Sequence, residues 1–389
     1  MEKSFFMFIK YHIITFFSIT EKRVKARRKY RHAVSIAVAA AFFLAGCRMP
    51  GESQPADNPD RPLKYEKTDT AMGTVISAVV YPKDGLTKEE GELCGRLPEE
   101  LTREVKRLDE EFLSKRLDSS EVYRVNENAK RGEESSLSAE LEALLERSAQ
   151  VAEDSGGAFD YALGNLTALW RIDELTAASK QEQEACGAPD EEQIREALLK
   201  SGYEKVRTEN GRVRFSDPVQ LDFGAIGKGY ALDCLKERLQ KEMEAGSVSG
   251  AVAALGGSIL VIGEKPDHSP WKVAISDPEN PGQPIGILEI SETCCISTSG
   301  DYERFFEAGG KRYHHILDRS SGYPAESDVR SVTIVSKDGF LSDALSTACF
   351  VLGKDRGMEL AKKYGAEILT VNQNGEIAFS SGLSGIFRK

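Results

Sequence analysis

The stretch Leu221-Asp222-Phe223-Gly224-Ala225-Ile226-Gly227-Lys228-Gly229-Tyr230 constrains this chain most, because it sets three glycines, one lysine and one carboxylate between two apolar runs. Val219 to Phe223 reads as a short strand and Tyr230 to Glu242 as a helix, so the glycines form a strand-to-helix junction. Glycines there let backbone N–H groups approach phosphate oxygens, and the helix that follows offers its positive end. The spacing is neither GxGxxG nor GxxxxGK followed by Ser or Thr, so no Rossmann or P-loop assignment is supported. Such a turn is structural as readily as it is ligand-binding. Lys228 within it and Asp222 just ahead favour a ligand.

A second motif, Asp343-Ala344-Leu345-Ser346-Thr347, puts a carboxylate and a hydroxyl four residues apart in a predicted helix, hence on one face. With a free backbone carbonyl these are oxygen donors of the kind magnesium prefers. Taken alone, a helix cap or a solvated face explains the pair as well.

The N-terminus reads as an address rather than as fold. Basic residues crowd Arg23 to Arg31, the apolar span Ala33 to Leu44 follows, and Leu44-Ala45-Gly46-Cys47 closes it, in the order of an export signal. Its end resembles a bacterial lipobox, in which Cys47 is lipidated and becomes the first residue after cleavage. The alternative is a transmembrane anchor with a chance cysteine, but the span is short for crossing a bilayer. Residues 1–46 are therefore expected to be a signal peptide, 47–64 a flexible tether rich in Pro, Gly, Asp, Asn and Ser, and 65–389 the folded domain.

Removing residues 1–46 takes the basic and acidic counts from 51 and 62 to 42 and 60, and the formal charge from −11 to −18. So acidic a surface argues against nucleic acid as a partner. Cys94, Cys186, Cys234, Cys294, Cys295 and Cys349 fit no zinc or iron–sulfur spacing and are expected to be buried thiols, although an exported protein could use one disulfide.

Along the chain, Thr74 to Val80 reads as a strand, with Met72-Gly73-Thr74 near its start, and Leu86 to Leu113 has helical spacing. Glu133 to Asp154 is a predicted helix with Leu137, Leu141, Leu144 and Leu145 inside, ended by Gly156-Gly157. Pro189 and Asp190 open a helix to Leu199. Strands are predicted at Arg212 to Phe215, Gly250 to Ala254, Ser258 to Ile262, Trp271 to Ile275, Ile285 to Ile290 and Val329 to Val335. Helices follow at Leu341 to Leu352 and Met358 to Lys363, and a terminal hairpin turns at Asn374-Gly375. Without a regular βα repeat, the fold class is α+β, with mixed helices and mainly antiparallel strands.

His314 and His315 lie among Lys311, Arg312 and Asp318, and adjacent side chains diverge, so at most one enters a common site. Ser297-Thr298-Ser299-Gly300-Asp301 is either a hydroxyl-rich ligand loop or a turn. Leu255-Gly256-Gly257-Ser258 is either a tight turn or a place where ligand meets backbone. Asp160, after Ser155-Gly156-Gly157-Ala158-Phe159, is adequately explained by a cap and a core phenylalanine.

Taken in order with Ala71-Met72-Gly73-Thr74, Leu169-Trp170, Tyr302 and His314-His315-Ile316-Leu317-Asp318, these motifs resemble the bacterial FAD:protein FMN transferases, the ApbE-like flavin transferases, over residues 65–385. The resemblance implies an ApbE-like fold with its ligand site in a central cleft. It implies an exported enzyme that moves the FMN portion of FAD onto a Thr or Ser hydroxyl of another protein, releasing AMP. It carries a magnesium ion onto the backbone carbonyl of Ala225 and the side chains of Asp343 and Thr347. FAD, as substrate, would meet Met72, Asp160, Asp222, Gly224, Ala225, Lys228, Gly256, Gly257, Ser299, Gly300, Asp301 and His315. His315, Asp343 and Lys228 would carry the catalysis, His315 as proton acceptor or phosphate-orienting group.

The implied partners are flavin-bearing subunits of membrane respiratory complexes or other exported flavoproteins. The implied location is the extracytoplasmic face of the cell membrane, with lipidated Cys47 as anchor. Where the family commonly continues His-Ile-Leu-Asp with proline, a basic residue, threonine and glycine, this chain has Arg319-Ser320-Ser321-Gly322. Two other functions use the same motifs: a magnesium-dependent FAD pyrophosphatase and a lipid-anchored FAD-binding protein without catalysis.

Overall fold

A computed structural model of the chain describes residues 63–280 and 282–389. The leader, Cys47 and all but the end of the tether lie outside the described residues. No helix among the described residues is long and apolar enough to cross a membrane.

Eight strands form one antiparallel sheet, in the order Tyr65–Ala71, Thr74–Pro82, Val248–Leu255, Ser258–Gly263, Cys294–Gly300, Val329–Ser336, Glu367–Asn372 and Ile377–Phe379. Side chains alternate between its faces. Ala251, Ala253 and Cys295 enter the main core with the helices, whereas Val252, Cys294 and Ile296 enter a second core on the other face. A three-stranded sheet of Trp271–Ser276, Pro284–Ile290 and Phe387–Arg388 contributes Trp271, Val273 and Leu288 to that second core. A third apolar cluster, around Trp170, Ile172, Leu175 and Ile194, carries the hairpin Phe305–Ala308 and Lys311–His314 through Phe306 and Ala308.

The helices Gly227–Glu244 and Gly339–Leu352 pack on the main-core face, and their contact is set by glycines. A Cβ on Gly229 would overlap the Gly339 carbonyl oxygen and lie 2.6 Å from the Asp343 Cβ. Only the absence of side chains lets the backbones meet there.

Several expectations are corrected. The helix expected from Glu133 begins at Ala139, because Ser135–Ser136 pairs with Val213 and Arg212 and the Ser138 hydroxyl caps the Leu141 amide, leaving Leu137 ahead of the helix. Val219 to Phe223 is not a ladder strand. The Asn126 amide group imitates a neighbouring strand by bonding both the N–H and the carbonyl of Leu221, at 2.7 and 2.9 Å. The next helix starts at Gly227, inside the glycine-rich segment. Met72-Gly73 is the two-residue turn between the first strands, with Met72 at φ 50° and Gly73 at φ 70°. Ser297 to Gly300 is neither loop nor turn but part of an interior sheet strand. All six described cysteines are free thiols, but Cys186 is exposed and Cys234 half-buried rather than buried.

Candidate functional site

Asp343 is held in place from both ends of its helix start. The two oxygens of Asp233 accept the Gly339 and Phe340 amides at 2.8 Å each, and Asp338 caps the Leu341 amide at 2.8 Å. These bonds answer the amides that a helix N-terminus leaves open. They also fix this helix against Gly227–Glu244, which carries Asp233.

Asp343, buried to 3% exposure, faces the start of that helix. The Gly229 amide donates to Asp343 Oδ2 at 2.9 Å, Ser258 Oγ donates to Oδ1 at 3.2 Å, and Lys228 Nζ lies 3.3 Å from both oxygens. Gly229 is the third residue of its helix, so its amide is one of the donors that a helix N-terminus leaves open, and Asp343 answers it. Ala225 precedes the N-cap Ile226, and no hydrogen bond reaches its carbonyl among the described residues. Thr347 lies one turn beyond Asp343. Its hydroxyl is 3.4 Å from Ser299 Oγ, which bonds Ser346 Oγ at 2.8 Å.

The donors available to a metal are thus all oxygens, with a single carboxylate among them. No cluster of three or more His, Cys, Asp or Glu side chains suited to a metal exists among the described residues. That donor set fits magnesium, which takes one or two carboxylates and completes its shell with water and substrate phosphate.

Asp222 and Asp160 serve the protein rather than an open face. Asp222 pairs with Lys115, accepts Thr167 Oγ1 at 2.6 Å, and takes the Gly224 amide on its other oxygen at 2.9 Å. Burial works to raise its pKa, but Lys115 outweighs it and holds the carboxyl well below the usual range. The Gly224 N–H is thereby committed to the loop itself. Asp160 accepts the Ala162 and Tyr203 amides at 2.8 and 3.1 Å and pairs with Arg319 Nε at 3.1 Å. Burial nevertheless pushes it up to about 6.

The Met72 turn adjoins Gly256, whose N–H bonds the Val75 carbonyl at 3.1 Å and whose added Cβ would lie 2.7 Å from Thr74 Oγ1. Gly257 is covered by Glu303, since a Cβ there would be 3.2 Å from Glu303 Oε1. Gly300 packs on the Tyr302 ring, and Asp301 pairs with Arg330 at 3.4 Å. Glu303, which no sequence motif singled out, is half-buried. Burial raises its pKa, against Lys228 and Arg304 and with Asp343.

The two histidines divide as adjacent residues should. His314 donates from Nε2 to the Ala325 carbonyl at 3.1 Å and accepts the Ile316 amide on Nδ1 at 3.3 Å, so both nitrogens are occupied. His315 donates Nδ1–H to the Arg304 carbonyl at 3.2 Å, which leaves Nε2 as a lone-pair acceptor. Burial, with Arg304 and His314, lowers its pKa well below 6.5, so it is neutral at pH 7. Glu303, which feels the charges of Lys228 and Asp343, directly precedes Arg304, whose carbonyl holds His315. Lys115 also escaped sequence reasoning: its partner is 107 residues away and no local spacing marks it.

A family model described as the ApbE family matches residues 72–370. The FAD:protein FMN transferase of Treponema pallidum is 33% identical over 341 residues, covering 83% of this chain and 88% of that protein. The FAD:protein FMN transferase of Haemophilus influenzae is 26% identical over 358 residues, covering 89% and 94%. Among solved structures, the ApbE protein of Thermotoga maritima matches with a TM-score of 0.72 and 33% identity, covering 84% of this chain and all of that one. The apo flavinyl transferase ApbE of Pseudomonas stutzeri matches with a TM-score of 0.69 and 30% identity, covering 83% and 96%.

Proposed function

This chain belongs to the ApbE family, and from that premise we propose that it transfers the FMN portion of FAD to a threonine or serine hydroxyl of an acceptor flavoprotein, with AMP as the leaving group. The observation that carries this reading is the convergence of the Gly229 amide, the Ser258 hydroxyl and the Lys228 ammonium on Asp343.

In the reaction the acceptor oxygen bonds to the FMN phosphorus while the bridging P–O bond to the AMP phosphate breaks. AMP takes the bonding electron pair. The hydroxyl proton passes to Nε2 of His315, which its bond to Arg304 and its lowered pKa keep unprotonated. Lys228 offsets charge on the transferring phosphate. The Ala225 carbonyl, Asp343 and Thr347 would hold magnesium, which when bound supplies positive charge at the pyrophosphate. Lys228 Nζ lies 3.3 Å from the same carboxylate.

Lipidation at Cys47 would keep the enzyme on the extracytoplasmic face of the membrane, near acceptor subunits of respiratory complexes, where confinement raises encounter frequency. The test is incubation with FAD, magnesium and an acceptor domain bearing a threonine target, read by intact mass and AMP release. An adduct matched by AMP supports transfer. AMP with free FMN and no adduct replaces it with pyrophosphatase activity, and FAD retained intact replaces it with binding alone.

A further inference from the structure

Asp173 bridges two arginines that come from distant parts of the chain. Its Oδ2 accepts Arg116 Nη2 and its Oδ1 accepts Arg304 Nη1, each at 2.8 Å. Arg304 is the residue whose carbonyl receives both the backbone N–H of His315, at 3.1 Å, and its ring Nδ1–H, at 3.2 Å. One backbone oxygen therefore sets both the position and the tautomer of the imidazole. The Arg304 side chain that anchors that backbone ends on Asp173. The same short helix, Ile172–Thr176, holds the next residue as well, because Thr176 Oγ1 donates to the Phe305 carbonyl at 3.1 Å.

Stability gives little reason for this arrangement. The three side chains are 37–59% exposed, and ion pairs of that exposure contribute about 0–1 kcal/mol. The arrangement does have a consequence for the ring it fixes.

We propose that Asp173 is a positioning residue for His315, acting through Arg304 to hold the imidazole as its Nδ1–H tautomer with Nε2 directed to accept a proton. The inference rests on the proton-acceptor role given to His315 above. The charged and titratable groups facing His315 are Arg304 from the loop before the hairpin, His314 from the strand Lys311–His314, and Asp173 from the short helix, with Arg116 behind it. Arg304 and His314 disfavour the imidazolium, and Asp173 is the one group among these that favours it.

The test uses Asp173→Asn, which keeps the size of the side chain and removes its charge, with Asp173→Glu as the conservative rescue. The first readout is the ¹⁵N spectrum of the histidine side chains, with His315 assigned by difference against His315→Gln. Wild type should show a single Nδ1–H signature for His315. Asp173→Asn should show mixed tautomers, and Asp173→Glu should recover the wild-type pattern. The second readout is the pH dependence of single-turnover FMN transfer.

The neutral ring is the active form, so activity falls as pH drops through the His315 pKa. Losing the Asp173 charge moves that limb to lower pH, while the plateau rate falls about tenfold or more and KM for FAD changes less than about twofold. A His315 spectrum and acid limb identical to wild type in Asp173→Asn would overturn the proposal. An altered spectrum with an unchanged plateau rate also overturns it as a statement about transfer. If His315→Gln itself leaves the rate unchanged, the failure lies with the role given to His315, and the spectrum still decides whether Asp173 positions the ring.

Discussion

The Gly229 amide donates to Asp343 Oδ2 at 2.9 Å across two helices that touch through bare backbone. One hydrogen bond thus orients the carboxylate and satisfies an amide that the helix N-terminus leaves open. Gly229→Ala must push the helices apart, since its methyl group would overlap the Gly339 carbonyl and lie 2.6 Å from the Asp343 Cβ. Overpacking of this kind costs about 1–3 kcal/mol, and transfer activity should be lost with it. Gly227→Ala is the control. Its methyl group would lie 3.5 Å from Leu113 Cδ1, and removing a helical glycine should stabilise by about 0.4–1 kcal/mol. Denaturant unfolding of both variants checks the pair.

Thr347→Ala removes one oxygen donor without disturbing Asp343. We expect the magnesium concentration for half-maximal transfer to rise by about tenfold or more, with near-normal rates at saturating ion. Asp343→Asn keeps the side-chain shape and an acceptor for the Gly229 amide but loses the charge. It should lower transfer at least about 100-fold at any magnesium concentration. Titration of magnesium against transfer rate separates the two behaviours.

Much of the frame was legible locally. β-branched runs marked most of the strands, Pro189-Asp190 marked a helix start, and the four-residue spacing of Asp343 and Thr347 placed both on one helix. Ser297 to Gly300 misled because serine, threonine and glycine have the composition of a loop. Two of these hydroxyls are instead matched by a neighbouring helix: Ser297 bonds Ser342 and Ser299 bonds Ser346, at 2.8 Å each. Buried polar groups are tolerated when paired, and the partner here lies more than forty residues away. Still longer separations in sequence hid the roles of Asp222 and Asp160, whose cationic partners Lys115 and Arg319 share no local spacing with them.

Lys115→Met tests the Asp222 pair. Both side chains are no more than 20% exposed, so removing the cation leaves a buried carboxylate with only the Thr167 hydroxyl and the Gly224 amide. Breaking such a pair costs about 3–5 kcal/mol. Because the folded pKa of Asp222 is depressed, its contribution is fully present above the unfolded value of about 3.9 and is lost as pH falls below it toward the folded value. Wild type should therefore lose stability steeply below about pH 4, and Lys115→Met should show a weaker loss over the same interval. Urea unfolding midpoints across that range decide the matter.

Asp160 should behave in the opposite sense. Burial raises it to about 6, so its contribution is fully present below the unfolded pKa and is lost as pH rises through about 6. Arg319 is the cation that limits this loss; it also pairs with Glu204 and lies over the Tyr203 ring. In Arg319→Ala the Asp160 pKa should rise further, because desolvation persists while the attraction is gone. The variant should then match wild type most closely near pH 5 and fall behind by on the order of 1–3 kcal/mol at pH 8. An Arg319→Ala deficit that is constant from pH 5 to 8 would show that the side chain acts by packing alone. A deficit that grows with pH would identify Arg319 as the counter-ion that lets a buried carboxylate stay beside the loop carrying His315.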